Sequence, residues 1–313
     1  MKDVLIRSVF GALFLMVVFT PFVYDVRHNA NLLNLVFYVF TMLGTHELAE
    51  MSKKSQFKHS MKLPALLLVT ALFMPLLIQT AKGFYPLLFN PIWEYFVETP
   101  ILFVLWGILI VSIFILSYWI FKKEKIDFVF KNPFLFNFFY PVLPMWILAI
   151  AYTLTTSDDV VLDNNVVALA NSSISAVNNK LMLLIVLLPI YVNDTLAYVF
   201  GRLFGKTPLI PSVSPKKTRE GFIGGLIGAA LVMCAIHYFV KEFSYISIFA
   251  MVGISVLASI LATLGDLFES KLKRSVGIKD SGNILPGHGG ILDRIDAMLF
   301  VAPVLYVLLA LIS

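Results

Sequence analysis

Apolar residues run along this chain in nine long stretches, about 4–23, 31–50, 63–80, 100–121, 137–154, 181–203, 221–240, 246–268 and 294–312. Each comes near the roughly 20 residues a helix needs to cross a hydrocarbon core. The second and fifth are the weakest, and the fifth carries Pro141 and Pro144, which membrane helices tolerate better than soluble ones. Polar residues gather between the stretches, and their sign alternates. With the N-terminus placed in the cytoplasm, the far side keeps only Arg27, Lys82, Lys180 and Lys241 of the 24 Lys and Arg. All the others, from Lys2 and Arg7 to Lys279 and Arg294, fall on the cytoplasmic side. Basic loops concentrated on one side are the mark of a set topology, and removing one span would scramble the pattern.

The expected fold is therefore all-α: a polytopic helical membrane bundle of about nine spans, N-terminus cytoplasmic and C-terminus on the far side. Composition agrees, with 59% hydrophobic and 14% charged residues and a mean hydropathy of +0.88. The net charge of +5 follows from topology and gives no reason to expect nucleic acid as a partner. A lone cysteine, Cys234, excludes an intrachain disulfide and a cysteine metal cluster. The N-terminal run reads as a first span, because no small-residue cleavage site follows it. Three regions emerge: apolar helices over 1–155, a polar far-side loop over 156–180, and a region over 181–313 that holds nearly all the polar residues costly at a membrane.

Three segments of that last region carry chemistry. In the sixth stretch Asp194, Ala197, Tyr198, Gly201, Arg202 and Gly205 share one helical face, and the small residues permit close approach of another helix. In the following loop Ser212, Ser214, Lys216, Lys217 and Thr218 lead into a glycine-rich helix start at Gly221, a combination suited to an anion such as phosphate. The eighth stretch ends with Asp266, Glu269, Ser270 and Lys273 on one face, and beyond it Lys271, Arg274, Lys279, Asp280, His288, Asp293, Arg294 and Asp296 crowd a loop with Gly287, Gly289 and Gly290. Cations there can hold phosphates, glycines allow a ligand close to the backbone, and carboxylates suit a hard cation such as magnesium. The residues alone thus indicate a membrane-embedded enzyme acting on a phosphate ester with a divalent metal.

The run from Ser270, S-x-x-K-R-x4-K-D-x-G-x3-P-G-H-G-G-x2-D-R-x-D, resembles the hallmark of the phosphatidate cytidylyltransferase (CDP-diacylglycerol synthase) family. The segments NDTLAYVFGRLFGKTP and SPKKTREGFIGG resemble the same family, which usually has Trp where this chain has Arg219. The resemblance covers roughly residues 190–312. It implies transfer of a cytidylyl group from CTP to phosphatidate, giving CDP-diacylglycerol and pyrophosphate for phospholipid synthesis. It favours Asp266, Asp293 and Asp296 as ligands of Mg2+, with Glu269 behind them and room for a second cation. Lys273, Arg274 and Lys279 join the aspartates in the reacting centre. Ser214, Lys216, Lys217, Thr218, Ser270, Asp280, His288, Gly289, Gly290, Arg294, Asp194 and Arg202 are expected around the phosphates of CTP and phosphatidate.

CTP, phosphatidate and membrane lipids are then the partners, and a homodimer is compatible with this reading. A bacterial inner membrane is the expected location, with the site facing the cytoplasm. Two other readings remain open at this point. One is a CTP-dependent lipid kinase or a cytidylyltransferase for another lipid phosphate. The other is an ion-coupled transporter using Asp194, Asp266 and Asp296, which requires carboxylates near the bilayer midplane rather than at helix ends.

Overall fold

The structure, a computed structural model, describes residues 13, 16–25, 32–57, 62–80, 101–154, 182–243, 246–286 and 289–312. The polar loop 156–180 and two residues of the glycine-rich loop, Gly287 and His288, lie outside them. Among the described residues the chain is mostly helical. The helices are α1 (Met16–Asp25), α2 (Leu33–Lys54), α3 (Lys62–Thr80) and α4 (Ile101–Phe121), followed by α5, built from Pro133–Asn137, Phe138–Val142 and Leu143–Leu154. The C-terminal half adds α6 (Met182–Phe204), α7 (Arg219–Phe239), α8 (Ile248–Ser275) and α9 (Leu292–Ile312). The middle turn of α5 is a π-helix that contains Pro141, which has no N–H to give to the regular ladder.

By length and apolarity among the described residues, Pro133–Ile150, Arg219–Phe239 and Ile248–Ser275 can each cross a membrane. Helix α8, with 28 residues, is ~42 Å long, about two turns more than a hydrocarbon core of ~30 Å. Its last two turns carry Glu269, Lys271, Lys273 and Arg274. Helix α8 is central: it packs on α4, α6, α7 and α9, and α9 in turn packs on α2 and α5. The α6–α7 contact is closest where glycines meet, since a methyl on Gly221 would lie 2.5 Å from the Ala197 carbonyl oxygen and one on Gly225 2.5 Å from Asn193 Oδ1. The small-residue spacing of both helices thus serves packing.

The described residues agree with an all-α membrane protein, with one short local exception. Residues Pro208–Ile210 (β1) and Ser214–Thr218 (β2) form an antiparallel hairpin between α6 and α7. Three prolines, at 208, 211 and 215, keep this stretch out of a helix. Glu220 closes the hairpin's base by accepting from the backbone N–H groups of Lys206 (3.1 Å) and Thr207 (3.2 Å) and from the Thr207 hydroxyl (2.7 Å). Helix α7 begins at Arg219, and the Thr218 hydroxyl oxygen caps it by accepting from Gly221 N at 3.1 Å.

On the other side of the bundle, buried Asp25 caps α2. Its carboxylate accepts from Leu32 N and Leu33 N, both at 2.8 Å, and from the Tyr152 hydroxyl of α5 at 2.7 Å.

Candidate functional site

Three C-terminal segments converge where α8 emerges from the bundle. From the hairpin, Lys217 donates to Asp266 Oδ2, and Ser270 donates to Asp266 Oδ1 at 3.3 Å. One turn further along α8, Lys273 bridges Glu269, on its own helix face, and Asp293, in the first turn of α9. Asp293 uses its second oxygen, Oδ2, to accept from Ser281 N (3.0 Å), Ser281 Oγ (2.9 Å) and Gly290 N (2.7 Å). Asp296, one turn deeper, is buried, and its Oδ1 accepts from Ala297 N at 2.7 Å. Asp194 on α6 faces Lys217, Asp266 and Arg294 across the same space. Asp266, Asp194 and Lys273 act on Asp296 in turn, while Asp296 and Asp293 act on Glu269. The result is one electrostatic cluster of five carboxylates with Lys217, Lys273 and Arg294.

Lys217 shows the balance of forces in this cluster. Burial alone would pull its ammonium's pKa down, but the Asp266 carboxylate, with Asp194 and Asp296 behind it, outweighs that and holds it above the ordinary lysine value. The ammonium therefore stays charged across neutral pH and loses its proton as pH rises through that raised value.

Strand geometry separates the two lysines that the sequence pairs. Successive side chains of β2 point to opposite faces, so Lys217 turns inward while Lys216 is exposed. Ser214 is half-buried on the Lys216 side of the register. Thr218 uses its oxygen as the α7 cap and keeps its proton free to donate. Arg202 donates to the Tyr198 hydroxyl at 3.5 Å, eight residues and thus ~12 Å along α6 from Asp194. Arg274, Lys279, Asp280 and Arg294 are exposed, and Arg274 also donates to the Ile278 carbonyl at 2.8 Å. Helix α8 stops at Gly277, whose φ of +76° suits glycine, with Ile278 N bonded back to the Lys273 carbonyl at 3.0 Å.

Lys271 departs from its expected role as a phosphate-holding cation. It is buried, and its ammonium donates to the backbone carbonyls of Trp119 (2.6 Å), Ile120 (3.3 Å) and Lys122. It therefore caps the C-terminus of α4, satisfying carbonyls that have no partner in their own helix. Lys271→Met is expected to cost about 1.5–3 kcal/mol of stability, the range for a bond to a charged donor. Its KM values should stay unchanged, and thermal midpoint and initial rates on the same preparation check both halves.

The glycines also have a partner other than a ligand. Gly289 takes a φ of +86°, and methyl groups on Gly282 and Gly290 would each lie 2.3 Å from a Glu47 oxygen. Glu47, on α2, is a site residue that the sequence reading missed. Tyr140, on the π turn of α5, is another. It is buried, its hydroxyl has no hydrogen-bond partner among the described residues, and it lies in the field of Glu269, Asp296, Asp266 and Asp293. A carboxylate inside a predicted span was the available signal for Glu47. Nothing local marked Tyr140.

Among the described residues, no group of three His, Cys, Asp or Glu closes around a single point. The carboxylates are engaged by lysines, hydroxyls and backbone amides. The donor set is nonetheless oxygen-only and brings several carboxylates together, the kind of donors a hard divalent cation takes.

Fold and site define a class: a helical bundle with helices long and apolar enough to cross a membrane, whose charged cluster forms at the C-terminal end of the central helix. The chain belongs to the cytidylyltransferase family, whose model matches residues 5–312. Over 122 residues it is 52% identical to a phosphatidate cytidylyltransferase of Staphylococcus haemolyticus, a match covering 39% of this chain and 46% of that protein. It is also 50% identical over 127 residues to the phosphatidate cytidylyltransferase of Staphylococcus saprophyticus, covering 41% and 48%. A Staphylococcus aureus protein of the same name is 50% identical over 120 residues, covering 38% and 45%. The chain spans about half the length of the curated relatives it matches.

Proposed function

We propose that this protein is a phosphatidate cytidylyltransferase, converting CTP and phosphatidate to CDP-diacylglycerol and pyrophosphate. The observation that carries the reading is the convergence of Lys217, Asp266, Lys273, Asp293 and Asp296, from three separate segments, on one cluster in a chain of the cytidylyltransferase family. Nine spans with a cytoplasmic N-terminus, in a bacterial inner membrane, would put this cluster where a soluble nucleotide meets a lipid headgroup. The basic loops of the chain support that orientation.

A phosphate oxygen of the lipid attacks the α-phosphorus of CTP, a new P–O bond forms, and the bond to the β-phosphate bridging oxygen breaks to release pyrophosphate. The attacking oxygen is already anionic, so no strong general base is required. The protein's part is to position two anions against each other and neutralise their charge. Lys217 and Lys273 would meet the triphosphate, with the exposed Arg274, Lys279 and Arg294 available to the phosphates. Asp266, Asp293 and Asp296 would hold magnesium, and Asp296, which accepts from Ala297 N, is the least engaged of the three among the described residues. When bound, the cation supplies Lewis-acid polarisation of phosphate oxygens.

The test uses purified protein in lipid–detergent micelles with phosphatidate, magnesium and CTP labelled either in the cytosine or in the γ-phosphate. Cytosine label in the lipid, with pyrophosphate release and loss of both on chelation, is the expected result. Label from the γ-phosphate in the lipid, with CDP in solution, would instead make the protein a lipid kinase.

A further inference from the structure

Glu47 sits in α2, in the half of the chain that contributes no other carboxylate to the cluster, and 234 residues before Ser281. Only 3% of its surface is exposed. Its Oε1 accepts from Ile291 N at 3.0 Å, and its Oε2 accepts from Leu292 N and Ser281 Oγ, both at 2.9 Å. Two of these donors are the free N–H groups at the start of α9, where a negative charge is favoured. The third is the more informative. Ser281 Oγ also lies 2.9 Å from Asp293 Oδ2, and a hydroxyl has one proton, so Glu47 and Asp293 share it. Asp293 passes the connection to Lys273 through its other oxygen, and Lys273 to Glu269. The loop is shaped around this carboxylate: neither Gly282 nor Gly290 has room for a methyl group beside it.

We propose that Glu47 is a positioning residue of the site: it fixes the first turn of α9 and, through Ser281, the orientation of Asp293 against Lys273. The consequence for turnover rests on the function proposed above; the positioning itself does not. A helix start pinned by a buried charge sets where Asp293 and Asp296 stand, and misplacement of reacting groups by ~1 Å can cost about 10²-fold in rate. A residue that merely held the bundle together would affect stability and leave the kinetic constants of the folded fraction alone.

The test compares wild type with Glu47→Gln, which keeps the shape but turns an amide group towards amide donors. Three quantities are read on folded protein: hydrogen exchange at Ile291 and Leu292, kcat for CMP transfer, and KM for CTP. Faster exchange at both amides, kcat lower by about 10–10²-fold and KM within about threefold are expected, with partial recovery in Glu47→Asp. Exchange at the wild-type rate would overturn the proposal. So would freed amides with an unchanged kcat, which would reduce Glu47 to a structural tie.

Should Glu47→Gln fail to fold, Ser281→Ala cuts the link to Asp293 while leaving the bonds to α9. It is expected to lower kcat in the same direction, and a wild-type kcat in that variant would overturn the link. If the wild-type protein transfers no cytidylyl group, the proposed function fails, while the amide-exchange comparison still decides the positioning.

Discussion

Lys273→Met will destabilise the protein by about 3–5 kcal/mol, the cost of removing one partner from a buried ion pair. The ammonium stands between two carboxylates, Glu269 with no exposed side-chain surface and Asp293 with 10%, and is itself only 9% exposed. The magnitude is not the worth of the salt bridges, which desolvation largely offsets. It comes from leaving Glu269 in the interior without its counter-charge, and burial of an unpaired charge dominates such ledgers. Glu269→Gln in the same background removes that charge and should return a large part of the loss. A thermal midpoint for Lys273→Met within a degree or two of wild type would show that the interior of the cluster is wetter than its packing indicates. The exposed ion pairs of Lys53 and Lys62 with Glu50 make the contrast. They are solvent-screened, and their loss should be worth ~1 kcal/mol or less.

The apolar stretches were legible because burial in lipid or protein demands long unbroken runs, and from α2 onward each described helix begins and ends within a few residues of one of them, α8 excepted; most of the first stretch lies outside the described residues. Helix α8 runs on to Ser275 because Glu269 and Lys273 are good helix formers and pair at i, i+4, which an apolar count ignores. The hairpin was invisible for a different reason. Its strands, of three and five residues, are too short to show a period, one apolar (PLI) and the other polar (SPKKT), so only their pairing reveals them. Its register then decides that Lys217 and not Lys216 meets Asp266.

Lys271 could have been told apart from its neighbours. At 100° per residue it points about 200° away from Glu269, off the face that Glu269 shares with Lys273. Glu47 could not be given a role from sequence, since that role depends on backbone groups on the far side of the chain. The motif around Asp293 and Asp296 marked the cluster, but which oxygen meets which donor follows from the turn at Gly289 and Gly290.

Asp296→Asn separates the function of the cluster from its stability. Asparagine matches the aspartate in shape, and its carbonyl oxygen can still accept from Ala297 N, the bond that Asp296 makes at 2.7 Å. The packing around it need not change either, although it is tight: a methyl on Gly265 would lie 2.5 Å from the Asp296 carbonyl oxygen. What changes is one negative charge, buried and facing Asp266 and Asp194, and removing it relieves repulsion. The thermal midpoint is therefore expected to stay level or rise.

CMP transfer, in contrast, should fall by about 10²–10³-fold, the usual loss when one preorganised electrostatic contact to the transition state is deleted. Opposite movements of stability and rate are what a charge kept for chemistry predicts, because such a site holds like charges together at the expense of the fold. If both quantities fell together, Asp296 would be a structural residue of the α8–α9 contact. If neither moved, it would leave the site altogether, and Asp266 with Asp194 would have to bear the charge of the reaction.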